Sequence, residues 1–225
     1  LFQYDITIAS KHPDPDLKSW LDRPATLILH GEPDQYIHGL VMEASQGAQG
    51  LAATDNGQFT GYRLRIVPRL WRLTQSKNHR IFQDKTANQI VAAVLGQHGI
   101  RGNDVEDCTQ PGAVRGYCVQ YGETDFNFVA RLLAEEGWHF HFRHRADRHT
   151  LILADSAQAF TSKPGPERLR YEQETSRPQD TECIHQLDYR QQLTPGAVRL
   201  GDFNFAKPTL GLRETSGGTH HLELF

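Results

Sequence analysis

The sequence predicts an α+β fold, on three observations. Short stretches of alternating apolar and polar residues open the chain, two stretches of helical periodicity occupy its middle, and period-two alternation returns after them. This order differs from the regular strand–helix alternation that builds a parallel sheet. At 225 residues the chain is long enough for one to two compact units, each able to bury a core.

Phe2, Tyr4, Ile6 and Ile8 alternate with Gln3, Asp5 and Thr7, which predicts a half-buried strand ended by the turn-rich His12–Asp16. Ala25–His30 and Tyr36–Ala44 predict two further strands, separated by the turn-favouring Gly31-Glu32-Pro33-Asp34. Gln46–Gly61, rich in Gly, Ala, Asn and Asp, reads as a loop. In Tyr62–Thr74 the residues Tyr62, Leu64 and Ile66 oppose Arg63 and Arg65, a strand with a bend or bulge at Pro68.

Two helices follow. Thr86 and Gln89 form a capping-box pattern ahead of the stripe Ala87, Ile90, Val91, Val94 and Leu95, and Gly96 and Gly99 lie at its end. Thr124 starts the second helix, whose apolar face reads as Phe126, Val129, Leu132 and Leu133, with Gly137 as the left-handed residue after it. Glu135 and Glu136 sit at the unfavourable end of the helix dipole and read as solvated carboxylates.

Trp138, Phe140 and Phe142 then alternate with His139, His141 and Arg143, and Thr150–Ala154 completes a hairpin. Asp155–Asp180, with Pro164, Gly165, Pro166 and Pro178, reads as a linker containing a unit boundary. Ile184–Gln192, Ala197–Leu200 and a short run to Phe225 are the remaining strand candidates.

Composition excludes several functions. The net charge is −3 and the Lys and Arg residues are scattered, so no basic stripe for nucleic acid exists. No apolar run approaches the roughly 20 residues that span a bilayer, and Leu1–Ser10 lacks the marks of a secretion signal. An opening Leu1 in place of a start methionine reads as a fragment or a chain lacking its first residues. Cys108, Cys118 and Cys183 are odd in number and lack CxxC spacing, so free thiols are the reading, with a Cys108–Cys118 bridge as the lesser alternative.

His139, His141, His144 and His149 crowd one stretch, and a metal-dependent hydrolase using His139, His141 and His149 is one alternative function. Polar decoration of an edge strand, with Phe140 and Phe142 facing the core, is the stronger reading, since neither HExxH nor a cysteine partner is near. Glu135 and Glu136 point about 100° apart on a helix and cannot face each other as an acid/base pair. No GxGxxG or GxSxG pattern sits in the right context, so no catalytic, cofactor or metal residue is nominated. The interface candidates are Tyr62, Arg63, Arg65, Arg69 and Trp71, because Arg, Tyr and Trp favour protein interfaces, together with the first strand.

Two stretches carry a family resemblance. Tyr62-Arg63-Leu64-Arg65-Ile66-Val67-Pro68-Arg69-Leu70-Trp71-Arg72-Leu73, followed by Arg80-Ile81-Phe82-Gln83-Asp84-Lys85-Thr86, resembles the strand-into-helix signature of the VgrG family. Tyr117-Cys118-Val119-Gln120-Tyr121-Gly122-Glu123-Thr124-Asp125-Phe126, then Phe128 through Trp138, is similar to that family's hallmark helix and aromatic hairpin. The likeness extends through Thr150–Asp155, more weakly to Leu193–Phe205, and to Leu1-Phe2-Gln3-Tyr4 near the start.

The resemblance implies a phage-tail-hub-like fold with two small antiparallel β-barrel modules and an inserted α+β unit. Residues 1–80 would form the first barrel, 81–155 the unit with two helices and a hairpin, and 156–225 a linker and an incomplete second barrel. It further implies a homotrimeric ring whose six barrels meet a hexameric tube protein, with baseplate components and effector or adaptor proteins as partners. Cofactors, nucleic acid and small-molecule substrates are not implied. The oligonucleotide-binding-like domain and triple-stranded needle of the family have no counterpart in these 225 residues. Assembly in the bacterial cytoplasm and expulsion through the envelope follow from the same likeness; a phage or phage-derived tail baseplate hub is the structural alternative.

Overall fold

In the computed structural model, four strands form the first sheet: β1 (Tyr4–Ser10), β2 (Pro24–Leu29), β3 (Gln35–Gln49) and β4 (Thr60–Val67). Their order is β1-β4-β3-β2, antiparallel throughout, with bulges in β3 between Val41 and Glu43 and between Gln46 and Gln49. The structure describes residues 1–11, 14–31, 33–49, 59–106, 110, 112–160, 169–171, 183–184, 186–191, 196–217 and 223–224. Two compact units result, Leu1–Lys163 and Pro164–Phe225.

Two expectations about this sheet are corrected. Gln46–Gly61 is not all loop, because β3 runs on to Gln49 and Thr60 and Gly61 already belong to β4; residues 50–58 lie outside the described ones. Ladder hydrogen bonds to β4 outweigh the weak strand propensity of this Gly- and Ala-rich stretch. Tyr62–Thr74 is not one bent strand either. Pro68 has no N–H to give the ladder, so β4 stops at Val67 and Arg69–Gln75 winds into a 3-10 helix that buries Leu70 and Leu73.

Gly39 is the tightest point of the sheet. A Cβ there would lie 2.5 Å from Ile66 Cγ2 and 2.7 Å from the Val67 carbonyl oxygen. Gly39→Ala is expected to destabilise the unit by about 1–3 kcal/mol, read as a lowered midpoint in chemical denaturation.

The helical part begins with β5 (Lys77–Phe82) and β6 (Lys85–Thr86), which lead into α1 (Ala87–Gln97). The predicted capping box is present: Gln89 N–H donates to Thr86 Oγ1 at 3.3 Å and Thr86 N–H to Gln89 Oε1 at 3.1 Å. The whole predicted stripe of α1 is buried. Next come β7 (Val105–Glu106), β8 (Val114–Arg115), β9 (Cys118–Thr124) and α2 (Asp125–Glu135), capped by Thr124. Gly137 has φ +71°, and the amides of Gly137 and Trp138 close the helix onto Ala134 and Leu133.

The hairpin β10 (His139–His144) and β11 (His149–Ala154) is antiparallel, with β7 added parallel to β11; β5 pairs β9 and β6 pairs β8. Leu70, Leu73, the α1 stripe, Phe128, Val129, Leu132, Leu133, Trp138, Leu151 and Leu153 make one core. Phe128, absent from the predicted face of α2, is fully buried, whereas Phe126 is half-buried against Phe140.

Glu135 and Glu136 are not free carboxylates at the helix end. Arg115 from β8 donates to both, and Arg131 adds a bond to Glu135. The bond to Glu136, against the opposing effect of burial, and then that to Glu135 hold the Arg115 pKa above its ordinary value. Cys118 is a buried free thiol whose pKa burial raises, and Cys108 lies outside the described residues.

The second unit contains β12 (Arg170–Tyr171) parallel to β13 (Cys183–Ile184), and a sheet β15-β14-β16 made of β14 (Ala197–Asp202), β15 (Leu212–Gly217) and β16 (Glu223–Leu224). The predicted strand Ile184–Gln192 is overturned. Among its described residues only Ile184 pairs, in the two-residue strand with Cys183, and Leu187 and Tyr189 stand exposed outside any strand; residues 185 and 192 lie outside the described ones. None of residues 169–171, 183–184, 186–191 and 196–217 of this unit is buried.

Candidate interaction surface

β4 places Arg63 and Arg65 on one face of the first sheet, because alternate residues of a strand share a face. Register puts Arg65 directly between Asp5 of β1 and Glu43 of β3, and Arg63 between Thr7 and Ser45. Arg65 donates from Nε to Asp5 Oδ1 at 2.6 Å and from Nη1 to Glu43 Oε2 at 2.9 Å. The Arg65 bond holds the Asp5 carboxyl below its ordinary range. These exposed pairs fix side-chain orientation more than they stabilise the fold. Arg63 is exposed and has no ion-pair partner among the described residues.

The other candidates have different roles. Tyr62 is fully buried, its ring edge-on to Trp20 at 5.6 Å, so it supports β4 from inside and does not present a surface. Arg69 pairs with Asp104 at 2.7 Å, and Trp71 is half-buried on the 3-10 helix. Next to it Arg72 grips Asp22 with two nitrogens. The five candidates therefore form no single patch: Arg63 and Arg65 line the charged face, and Arg69 and Trp71 stand beyond the end of the strand.

A second exposed surface escaped notice in the sequence. The β5–β9 ribbon turns His79, Ile81 and Tyr121 outward, Ile81 at 60% and Tyr121 at 81% exposure, with Tyr117 and Val114 exposed alongside. The signal was present in β5, where Lys77, His79 and Ile81 alternate with Asn78, Arg80 and Phe82. Aromatic and aliphatic residues on an exposed ribbon are the composition of an interface centre.

The four clustered histidines are split between two faces of the β10–β11 hairpin. His139 and His141 stack on Phe160, at 4.7 and 5.1 Å between centroids. His144 and His149 lie on the opposite side with His38 of β3. The set His139, His141 and His149 is therefore never assembled, which corrects the metal-hydrolase alternative. Among the described residues no group of three or more His, Cys, Asp or Glu is placed to hold a metal ion. No helix among them is long and apolar enough to cross a membrane.

Comparison with known proteins agrees with a hub-like architecture. VgrG4b of Pseudomonas aeruginosa, a type VI secretion system spike protein, is 37% identical over 212 residues, covering 93% of this chain and 25% of that protein. VgrG1b of the same organism is 33% identical over 92% of this chain and 27% of its own length. The actin cross-linking toxin VgrG1 of Vibrio cholerae is 35% identical over 97% of this chain but only 19% of itself. The chain thus spans about a quarter of the curated relatives it matches. Among solved structures, the Escherichia coli c3393 protein, a type VI secretion component with structural similarity to the T4 tail proteins gp27 and gp5, superposes with TM-score 0.63 at 26% identity, over 75% of this chain and 44% of that one. The 43 kDa tail protein of prophage MuSo2 from Shewanella oneidensis shares the fold at 15% identity, TM-score 0.56, over 99% of this chain and 63% of that one. Matched from residue 1 to residue 223, the chain belongs to the phage tail baseplate hub (GPD) family.

Proposed function

We propose that this chain is the hub region of a type VI secretion spike, a structural part that forms a trimeric ring, caps the hexameric tube and carries the puncturing needle and effectors. The extent of the likeness carries this reading: spike proteins match more than nine-tenths of the chain. The ring assembles in the bacterial cytoplasm and is then expelled toward the target cell. Its work lies in interfaces, to which Arg63, Arg65, Arg69 and Trp71 contribute, and the region itself is not catalytic.

The second unit supports self-assembly on physical grounds. β14 and β15 carry no buried residue, and Leu200 and Phe205 are 71% and 88% exposed, so this apolar surface is open to a partner. Neighbouring copies around a three-fold axis would cover such surfaces. Light scattering on the size-separated full-length protein is expected to give three times the chain mass. A monomer at about micromolar concentration, where stable oligomers persist, would contradict the ring. A phage-derived tail hub is the second reading, since the MuSo2 tail protein matches 99% of this chain in fold.

A further inference from the structure

Three imidazoles meet where the first sheet touches the hairpin. His38 comes from β3, while His144 and His149 face each other across β10 and β11 as a register pair. His149 Nε2 accepts from the Arg69 N–H at 3.0 Å, so its proton sits on Nδ1, which lies 2.9 Å from His38 Nδ1. His38 Nδ1 must then be the acceptor, and its own proton is on Nε2. His144 Nδ1 lies 3.1 Å from the His38 amide nitrogen and 3.2 Å from the His38 carbonyl oxygen, so it accepts from the first when bare and donates to the second when protonated. Phe2 and Phe142 pack edge-on against His149, closing the group from the apolar side.

Each proton shared among Arg69, His149 and His38 has one place. A second proton on His149 would turn Nε2 into a donor aimed at the Arg69 N–H. A second proton on His38 would set its Nδ1–H against the Nδ1–H of His149. Either charge breaks a hydrogen bond that joins two elements distant in the sequence, and His38 and His149 are 2% and 4% exposed, shut off from water.

We propose that His38 and His149, with His144 packed beside them, form a proton-sensitive clasp that holds the first sheet to the β10–β11 hairpin when both rings are neutral and releases it when acid charges them. Burial pushes all three pKa values below the ordinary value, that of His149 to about 3. Arg69 and the neighbouring rings add to the depression at His38 and His149, whereas Asp147 and Asp104 oppose it at His38 and the hydrogen bond to the His38 backbone opposes it at His144. The open form titrates near the ordinary histidine value of about 6.5, so the closed form is fully favoured above that pH and is lost progressively as pH falls toward the depressed values. What remains across this joint includes the Thr26 Oγ1–Ala146 carbonyl bond at 2.9 Å and the Arg69–Asp104 pair.

Hydrogen exchange in the full chain tests the clasp. Protection of the His38 and Arg69 amides is expected to fall about tenfold per pH unit below about 6.5 for each proton taken up, while amides inside α2 keep theirs. Unchanged protection, or loss in step with α2, overturns the proposal. His149→Gln keeps an acceptor for Arg69 but cannot be charged, so the pH slope must become shallower; an unchanged slope also overturns it. Should that variant fail to fold, imidazole nitrogen spectra of the parent decide. A His149 that stays neutral, protonated on Nδ1, down to about pH 5 supports the clasp, and one that titrates near 6.5 in the intact fold overturns it.

Discussion

Asp125→Ala will destabilise the Leu1–Lys163 unit by about 3–5 kcal/mol, among the largest losses any single substitution in this chain will cause. Asp125 is the first residue of α2 and is fully buried. Its carboxylate accepts from Asn78 at 3.0 Å, Arg80 at 3.0 Å, Gln120 at 2.8 Å and His98 at 2.7 Å. These partners come from β5, β9 and the end of α1, so one anion ties three elements to the positive end of a helix. Without it the Arg80 guanidinium, whose Nη1 has no hydrogen-bond partner among the described residues, stays largely buried with no counter-charge among them.

The pH dependence has a definite sign. Burial by itself raises the Asp125 pKa, but the bonds from Gln120, His98 and Asn78 and the charge of Arg80 outweigh it, and the net result lies below the ordinary value. A depressed carboxylate pKa contributes stability that is complete above the unfolded value, about 3.9, and is lost as pH falls through the folded one. Urea denaturation of parent and variant at neutral pH should show the full difference, and the gap should narrow in strong acid. A loss under about 1 kcal/mol, the worth of a single ordinary hydrogen bond, would mean that the node is not integral to the fold.

Phe128→Ala is the second large effect, a loss of about 3–5 kcal/mol. The ring is fully buried between α2 and β5, stacked on Phe82 with centroids 5.8 Å apart and carrying the Arg131 guanidinium 5.3 Å from its centre. Truncation removes apolar area and leaves a cavity that the surrounding core residues cannot fill. Phe126→Ala, at a half-buried position, should cost clearly less. Paired denaturation curves check the order, and a larger loss at Phe126 would refute the core described above.

That contrast marks how far the sequence reaches. On its own it determined what short windows encode: the alternation of β1, the Thr86–Gln89 box, the buried stripe of α1, the Gly137 stop, the hairpin after it, and the two stretches whose likeness pointed to the hub family. It underweighted Phe128, because residues 126, 128 and 129 all compete for the inner face of α2 and only the position of the β5–β9 ribbon selects among them. For the interaction surface it supplied residue types but not exposure, so buried Tyr62 and exposed Arg63 looked alike.

Only the tertiary structure decided who meets whom. It joined Arg115 to Glu135 and Glu136, four side chains to Asp125, and His38 to His149 across a separation of 111 residues, while parting His139 and His141 from that group. Periodicity and caps are local because backbone geometry repeats every few residues. Charge pairing and burial depend on which distant segments the core draws together, and no short window of sequence holds that information.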